Sequence, residues 1–312
     1  MRIAVYLPLL LSLFAPFGAR ILSERCEPRL ATWLLTVSAL MLGAASTISL
    51  GLLAVTGLIR LPLLADLGHW SAGAAQRDDP TQVPVALVAG LLLGGAVLAA
   101  ARMLWIRARS LAAAAAQAAC MPAQDGLVVV DDETPEAFAL PGLPGRVVVS
   151  TGMLDLLDDG EHEILLAHER AHLEAHHYLF AALAGLGAAA NPLLRPLAAA
   201  VGYTTERWAD ERAAAAVGDR ARVARTVGKA ALATHYTLNR RHLPGAALGI
   251  LGRRTSLTGA GPIPRRVAAL LAPPLRHHPA LVIAAGAVLV MATGAIADAT
   301  LDLHVFLELA GI

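Results

Sequence analysis

The sequence contains few aromatic and few charged residues. Phe, Trp and Tyr make up 4% of its 312 residues, and Asp, Glu, Lys and Arg make up 16%, whereas hydrophobic residues make up 56%. This composition excludes an ordinary soluble globular domain, in which about 25% of residues are charged. It favours a chain that places several helices in a membrane.

Cysteine is also scarce, and basic residues are not in excess. The two cysteines, Cys26 and Cys120, are too few for a disulfide framework or for a thiolate metal cluster. The net charge is +1, and no basic stripe is interleaved with aromatic residues. Nucleic-acid binding is therefore not expected.

Long apolar runs are present instead. A helix needs roughly 20 mostly apolar residues to cross a hydrocarbon core of about 30 Å, and the runs 31–59, 83–106 and 279–297 are long enough. A shorter run, 3–17, contains two prolines and fits either a secretory signal or a first span. Because no clear cleavage site follows it, we expect a retained span and four crossings in all.

Arginines near the ends of these runs predict the orientation. They are concentrated between the first two spans, at the end of the third and before the fourth: Arg20, Arg25, Arg29, Arg102, Arg107, Arg109, Arg265, Arg266 and Arg276. The opposite side has fewer, and its loop 60–82 also carries three aspartates. Because cytoplasmic loops carry the excess of Lys and Arg, both termini are expected on the outer side of the cell membrane.

These features divide the chain into three parts. Residues 1–106 are expected to form three transmembrane helices, 107–276 a cytoplasmic domain, and 277–312 the fourth transmembrane helix and a short external tail. The cytoplasmic part begins with an Ala-rich helical linker and two β-type runs at 127–130 and 146–150, separated by the Pro- and Gly-rich segment PEAFALPGLPG. The later part is helical in pattern. The expected fold class is an α-helical membrane protein with a cytoplasmic α+β domain.

One charged cluster lies in the helical part, HERAH at 168–172. His168 and His172 are four residues apart, so they share one face of a helix, where two imidazoles can bind one metal ion. Glu169 lies beside His168, where a carboxylate can act as a general base. The five-residue pattern also arises by chance, and a metal site requires a third ligand.

The residues directly after this motif do not supply the third ligand. Zinc in hydrolytic sites has three protein ligands and one water, but the longer pattern HExxHxxGxxH is absent, because Ala175 and Tyr178 occupy its later positions. His176 and His177 are at the wrong offset. We interpret both as solvated or helix-end histidines.

A second pair of groups lies downstream, in the segment TTERWADERAA. Glu206 and Asp210 are one helical turn apart there. Glu206 can complete the metal site, and Asp210 can accept a hydrogen bond from the far nitrogen of a ligand histidine. The alternative is a solvated helix face, since other charges lie beside them. We predict the zinc site because a complete HExxH precedes it.

The apolar stretch 178–203 lies between the two halves of this site. A single crossing would put Glu206 and His168 on opposite sides of the membrane, and two crossings would need about 40 residues. We therefore expect a helical hairpin that is broken at Asn191 and Pro192. It would dock on the domain or dip into the membrane surface.

HERAH, the apolar hairpin with its Asn-Pro break and the ExxxD of ERWADERAA together resemble the BlaR/MecR-type integral-membrane zinc peptidases. HtpX and the CAAX prenyl endopeptidases are relatives of these enzymes within the gluzincin group. The resemblance covers about residues 120–275. It implies that His168, His172 and Glu206 bind Zn²⁺ and that Glu169 is the general base.

The same resemblance implies further contacts. The strand at 146–150 would bind substrate backbone, and the segment PRRVAALL would bring Arg266 near the site, where a membrane-proximal cation is the alternative. An oxyanion contact is expected from a downstream residue, and the unranked candidates are His235, Tyr236 and His242.

In function, the resemblance implies limited proteolysis of a cytoplasmic protein such as a winged-helix transcriptional repressor, with self-cleavage within 251–261. A quality-control protease of the HtpX kind is the alternative within this class, and a non-catalytic membrane scaffold is the alternative outside it. The sensor members of the group carry a penicillin-binding domain after the last span, whereas this sequence ends 15 residues after Ala297. Direct β-lactam sensing is therefore not expected.

The orientation can be tested with single cysteines in a variant without native cysteines. Ala74→Cys lies in the predicted external loop and Ala123→Cys in the predicted cytoplasmic domain. We expect a membrane-impermeant maleimide to label the first in intact cells and the second only after lysis. Labelling of Ala123→Cys in intact cells would invert the topology.

Overall fold

The computed structural model describes residues 4–58, 83–240, 262–275 and 278–309. Three helical segments in it are long and apolar enough to cross a membrane: Pro28–Val55, Pro84–Cys120 and Pro279–Asp302. A bent pair, Ala4–Ser12 and Ala15–Arg25, meets at 53° and makes a fourth span if the two parts cross together. These three or four spans agree with the expected membrane protein, whereas its orientation stays a prediction.

The first four helices and the last one contain these spans. They are α1 (Leu7–Ser12), α2 (Ala15–Arg25), α3 (Pro28–Leu58), α4 (Val83–Cys120) and α11 (Pro279–Leu309). The segment between α4 and α11 contains a small sheet followed by helices. These elements are β1 (Leu127–Val130), β2 (Ala137–Leu140), β3 (Arg146–Ser150), α5 (Thr151–Leu156), α6 (Asp159–Glu174), α7 (His177–Ala190), α8 (Arg195–Val217), α9 (Arg220–Arg240) and α10 (Pro262–Leu271).

Helix α4 continues well beyond the length of a membrane span. Its 38 residues extend about 57 Å at 1.5 Å per residue, roughly twice the thickness of the apolar core. We expected the Ala-rich segment as a separate linker. It forms the second half of this helix instead, because residues 102–120 contain no Pro or Gly. Near its end, Ala118 packs with Val128, Leu140 and Val148. The helix therefore connects the membrane part to one face of the sheet.

The sheet has the strand order β1-β3-β2, with β3 parallel to β1 and antiparallel to β2. Two sequence-based interpretations are wrong here. The segment interpreted as a separator contains strand β2, since Pro135 and Pro141 flank the strand and the third proline, Pro144, follows it. Strand β3 cannot bind substrate backbone, because both of its edges are already paired. In the described part of the chain, β2 is an edge strand, and it lies beside α6.

Helix α6 begins at a capping box. The Asp158 carboxylate accepts from the Glu161 N–H, and the Glu161 carboxylate accepts from the Asp158 N–H, which satisfies two otherwise unpaired donors. The apolar residues of the helix then face two directions. Leu165 packs in the cluster beneath the sheet, and Ile164 packs in the cluster with Ala213 and Val223. The helix is thus fixed between the sheet and helices α8 and α9.

Helices α7 and α8 form the expected hairpin, with its break at Asn191 and Pro192. At its base the hydroxyls of Thr204 and Thr32 are 2.9 Å apart. At its tip the Asn191 side-chain amide donates to Ser12 at 3.0 Å and to Ser46 at 2.9 Å. The part of α3 between these two contacts is about 21 Å long. The hairpin therefore packs along α3, one of the helices long and apolar enough to cross a membrane, over about 21 Å, whereas we expected it on the domain or at the membrane surface.

The contact between α7 and α3 depends on glycine. A Cβ atom on Gly187 would lie 2.2 Å from the carbonyl oxygen of Ala39. On α3, a Cβ atom on Gly43 would lie 2.9 Å from the Gly187 Cα. The two helix backbones are therefore in direct contact at this crossing, which is a common arrangement of small residues between membrane helices.

This crossing predicts opposite effects for two Gly→Ala substitutions. Gly187→Ala should destabilise the protein by about 1–3 kcal/mol through overpacking. Gly202→Ala is the matched control, because Gly202 is an exposed helical residue with no atom within 4 Å of an added Cβ, where alanine favours the helix by up to ~1 kcal/mol. Thermal unfolding in detergent micelles measures both. Equal unfolding temperatures would contradict the close contact.

Candidate metal centre

Three possible metal ligands come together from two helices. Helix α6 supplies His168 and His172, and α8 supplies Glu206; one ligand atom from each lies within 4.8 Å of the others. The two Nε2 atoms are 3.2 Å apart, and each lies 3.6 Å from one oxygen of Glu206. Ligand atoms at tetrahedral angles around zinc, at the usual bond lengths, are separated by about 3.3 Å. The donor types and their spacing therefore fit a zinc ion.

Asp210 lies behind the first of these ligands. It is one turn after Glu206 on α8, its side chain is 2% exposed, and its Oδ1 lies 3.1 Å from the Nδ1 of His168. A carboxylate in this position favours the proton on Nδ1 and leaves Nε2 free to bind a metal. The structure thus brings Asp210 to the position that its spacing predicts.

Arg266, on α10, bridges both carboxylates of α8. Its guanidinium donates to the two oxygens of Asp210 at 2.8 and 2.6 Å, and its Nη1 lies 2.8 Å from Oε2 of Glu206. Paired contacts of this kind are the strong form of an arginine–carboxylate interaction. Arg266 is therefore part of the site, where it touches the carboxylates that face the histidines.

Contacts on both sides of Arg266 hold α10 in place. The Arg265 guanidinium lies 4.4 Å from the ring centre of Tyr203 and 3.5 Å from Glu24. At the C-terminal end of α10, Arg220 donates to the carbonyl oxygens of Leu270 and Ala269, at 3.0 Å in each case. These contacts fix the helix that carries Arg266 against α8.

Glu169 lies between the histidines and the edge strand. Burial raises the pKa of its carboxyl group, and a hydrogen bond from the backbone N–H of Ala139 partly offsets that rise. Ala139 pairs with Val147, whose own N–H donates to Gly126 on the far side of β3. The N–H and C=O of Ala139 therefore point away from β3, towards the free edge. Sequence reasoning missed this contact because it missed β2.

The pKa values of the two histidines are shifted in opposite directions. Burial alone would lower the pKa of His168, but hydrogen bonds to Asp210 and Glu206 raise it to about 10. Burial lowers the pKa of His172 to about 4. Burial would raise the pKa of Glu206, but His168 and Arg266 hold it well below its ordinary value. Without a metal, these shifts therefore favour a positively charged His168 and a neutral His172.

His177 lies at a helix end, as expected, because it is the first residue of α7, but it is not solvated. Its side chain is 3% exposed, and its Nδ1 lies 2.9 Å from the Nδ1 of His172. Burial lowers the pKa of His177 to about 3, so its ring is neutral. The neighbouring His176 is exposed, as expected. None of the three candidates for an oxyanion contact can be placed. The side chains of His235 and Tyr236, and the whole of His242, lie outside the described residues.

Residues 100–191 match the sequence model of peptidase family M48. Peptidases of this family are metal-dependent, usually on zinc. The match includes the strands, the HERAH motif and α7, and it ends before Glu206. No curated protein and no solved structure gives a significant match to the chain. The match supports a membrane-type metallopeptidase, whereas the third ligand depends on the geometry of α8.

The site predicts about one zinc ion per chain. His172→Ala removes one of the three donors, so we expect most of the bound metal to be lost on dialysis. His176→Ala is the control, because this histidine is close in sequence but exposed. Elemental analysis of the purified proteins measures the metal. Equal zinc in wild type and His172→Ala would refute the assignment of the ligands.

Proposed function

We propose that this protein is a membrane-bound zinc endopeptidase. The observation that carries the proposal is the convergence of His168, His172 and Glu206 beside Glu169 and a free strand edge. The match to peptidase family M48 over residues 100–191 supports it. A non-catalytic scaffold would not need a half-buried carboxylate next to a complete set of ligands.

The residues have separate roles in this proposal. His168, His172 and Glu206 hold the metal, which on binding lowers the pKa of a water molecule and polarises the scissile carbonyl. Glu169 accepts a proton from the attacking water and passes it to the leaving amine. Its raised pKa suits this exchange, since a group that both takes and gives a proton works best with a pKa near the working pH.

Arg266 and Asp210 determine which atoms of Glu206 and His168 are free to bind a metal. Arg266 occupies Oε2 of Glu206 at 2.8 Å, which leaves Oε1, the oxygen closer to His172, free for a metal. Asp210 holds the proton of His168 on Nδ1. Two charged contacts on Asp210, from His168 and Arg266, prevent this buried carboxylate from being left unpaired.

Strand β2 provides a binding surface for an extended substrate. The backbone groups of Ala137 and Ala139 point to its free edge, because their partners on β3 bond to β1 instead. A substrate segment can add to this edge as a further strand. Its scissile bond would then lie near Glu169, whose carboxylate is close to the Ala139 N–H, so the substrate would replace Glu169 as the partner of that N–H.

We further propose a cytoplasmic active site and, as substrate, a cytoplasmic protein such as a transcriptional repressor. The arginine distribution supports the cytoplasmic side, and the resemblance to BlaR/MecR-type peptidases supports the repressor. The segment suggested for self-cleavage, 251–261, lies outside the described residues, so self-cleavage rests on the sequence alone.

One observation favours the second candidate, a quality-control protease for membrane proteins. Trp208, two residues after Glu206, lies 5.7 Å from the guanidinium of Arg29, next to the first residue of α3. The metal centre is therefore at the level where the α3 span begins. Segments of other membrane proteins that emerge at this level would be close to the site.

The general base is tested with Glu169→Gln. The amide keeps the shape of the side chain and removes its basic group, so zinc should be retained while cleavage of an unfolded test protein falls at least ~100-fold. Metal content and cleavage are measured on the same preparation in detergent. His176→Ala is the control for both readouts. Full activity of Glu169→Gln would assign the base to another residue.

The two substrate classes are separated by comparing cellular proteomes of wild type and Glu169→Gln under cell-wall stress. A repressor-cleaving enzyme predicts one regulator that persists in the variant, together with changes in the genes it controls. Accumulation of many membrane proteins, with no regulator changed, would replace the repressor with the quality-control function.

A further inference from the structure

We propose that His177 is a positioning residue, which fixes the tautomer and the orientation of the ligand His172. The inference rests on the proposed metal site and concerns a residue outside both the HExxH motif and the ExxxD pair. The two rings meet edge to face, with centres 4.7 Å apart and planes at 87°. Their Nδ1 atoms are 2.9 Å apart, which is within hydrogen-bond distance.

The positions of the nitrogens decide which ring donates. The Nε2 of His172 faces the Nε2 of His168 at 3.2 Å and Glu206 at 3.6 Å, so this atom must present its lone pair to a metal. The proton of a neutral His172 ring is then on Nδ1. That N–H donates to the Nδ1 of His177, which can accept only if the His177 proton is on its own Nε2.

This tautomer of His177 places its ring proton on Nε2, on the side of the ring away from His172. Its Nε2 is buried and has no hydrogen-bond partner. A buried donor without a partner is unfavourable, and an apolar residue would avoid it at this position. The unpaired nitrogen is explained if the ring is retained for the acceptor at Nδ1.

The local fold directs the ring to this place. His176 has a left-handed backbone, with φ 52° and ψ 44°, so α6 ends abruptly and His177 becomes the first residue of α7. This turn points His176 to solvent and His177 back towards α6. The centre of the His177 ring also lies 4.7 Å from the centre of the Trp208 ring on α8. His177 is therefore held between the two helices that supply the metal ligands.

The two ligand histidines thus have different partners. His168 is paired with the carboxylate of Asp210, whereas His172 is paired with a neutral imidazole. A second carboxylate would add another negative charge next to Glu206 and Glu169. The neutral acceptor orients His172 without that charge.

The test compares two amides that differ in the position of their oxygen. In His177→Asn the side-chain oxygen lies where the Nδ1 of histidine was, and in His177→Gln it lies at the level of Nε2. Zinc affinity is measured by competition with a chelator on the full-length protein in detergent micelles. We expect His177→Asn to bind zinc nearly as tightly as wild type and His177→Gln to bind about 10–100-fold more weakly, as for other residues that orient metal ligands.

Two further variants control for packing. His177→Phe fills a similar volume without an acceptor and should lose as much affinity as His177→Gln. His176→Gln, at the exposed neighbour, should change nothing. Replacement of zinc by Co²⁺ gives a spectroscopic readout, in which the absorption bands of His177→Gln and His177→Phe should shift from those of wild type and His177→Asn.

Equal zinc affinity in His177→Asn and His177→Gln would overturn the proposal, whether both bind like wild type or both bind weakly, because the position of the acceptor would then be irrelevant. Wild-type affinity in His177→Phe would overturn it as well. Failure of the metal site itself is recognised separately, since wild type and His172→Ala would then contain equal amounts of zinc, or none.

Discussion

Three carboxylates share one half-buried site, and the arrangement of helices around it depends on the positive charge that faces them. The negative charges of Glu169, Glu206 and Asp210 repel one another because solvent screens them poorly here. The single positive charge of Arg266, which contacts Glu206 and Asp210, neutralises only one of the three. With neutral histidines the site has a formal charge of −2, which a divalent cation balances. The pKa of about 10 at His168, reached despite burial, has the same origin. The contacts of α6, α8 and α10 therefore depend on a charge balance that a bound divalent metal ion would complete.

The membrane part sets the distance between the two halves of this site. Helices α7 and α8 leave the metal centre, run together along α3 and turn at Asn191. In apolar surroundings an unpaired amide is costly, so the bonds from Asn191 to Ser12 and Ser46 fix the tip of the hairpin. The contact of Gly187 with Ala39 fixes its side. Because the hairpin is held at its tip and along its side, the start of α7 and the part of α8 that carries Glu206 stay at a fixed distance. This keeps Glu206 at a fixed distance from His172, which lies just before α7.

The sequence predicted the parts of the site that lie within single helices. The pairs His168–His172 and Glu206–Asp210 follow from the helical period alone, and their residue types indicate a metal. Apart from the approach of Glu206 to the two histidines, and that of Arg266 which the resemblance implied, the contacts between elements were not predicted. The pairing of Arg266 with Asp210 joins residues 56 apart in the chain, and the burial of His177 depends on one left-handed residue. The packing partner of the hairpin could not be predicted either, because an apolar segment has the same composition whether it packs on a domain or on a membrane helix. Strand β2 was missed because a strand of only four residues, flanked by Pro135 and Pro141, carries little periodicity.

In the proposed endopeptidase, the edge strand and the position of the candidate metal centre would together restrict which substrates can be cut. A substrate must offer an extended, unpaired segment to the backbone of Ala137 and Ala139, so a folded helix or a paired strand cannot enter. It must do so at the level where α3 begins, as the contact of Trp208 with Arg29 indicates. Such segments are the loops, termini and locally unfolded parts of proteins. Selectivity would then depend less on the sequence around the scissile bond than on which proteins expose such a segment close to the membrane surface. A regulator released from its folded state and a damaged membrane protein satisfy this condition for the same physical reason, which makes the two candidate functions variants of one mechanism of selection.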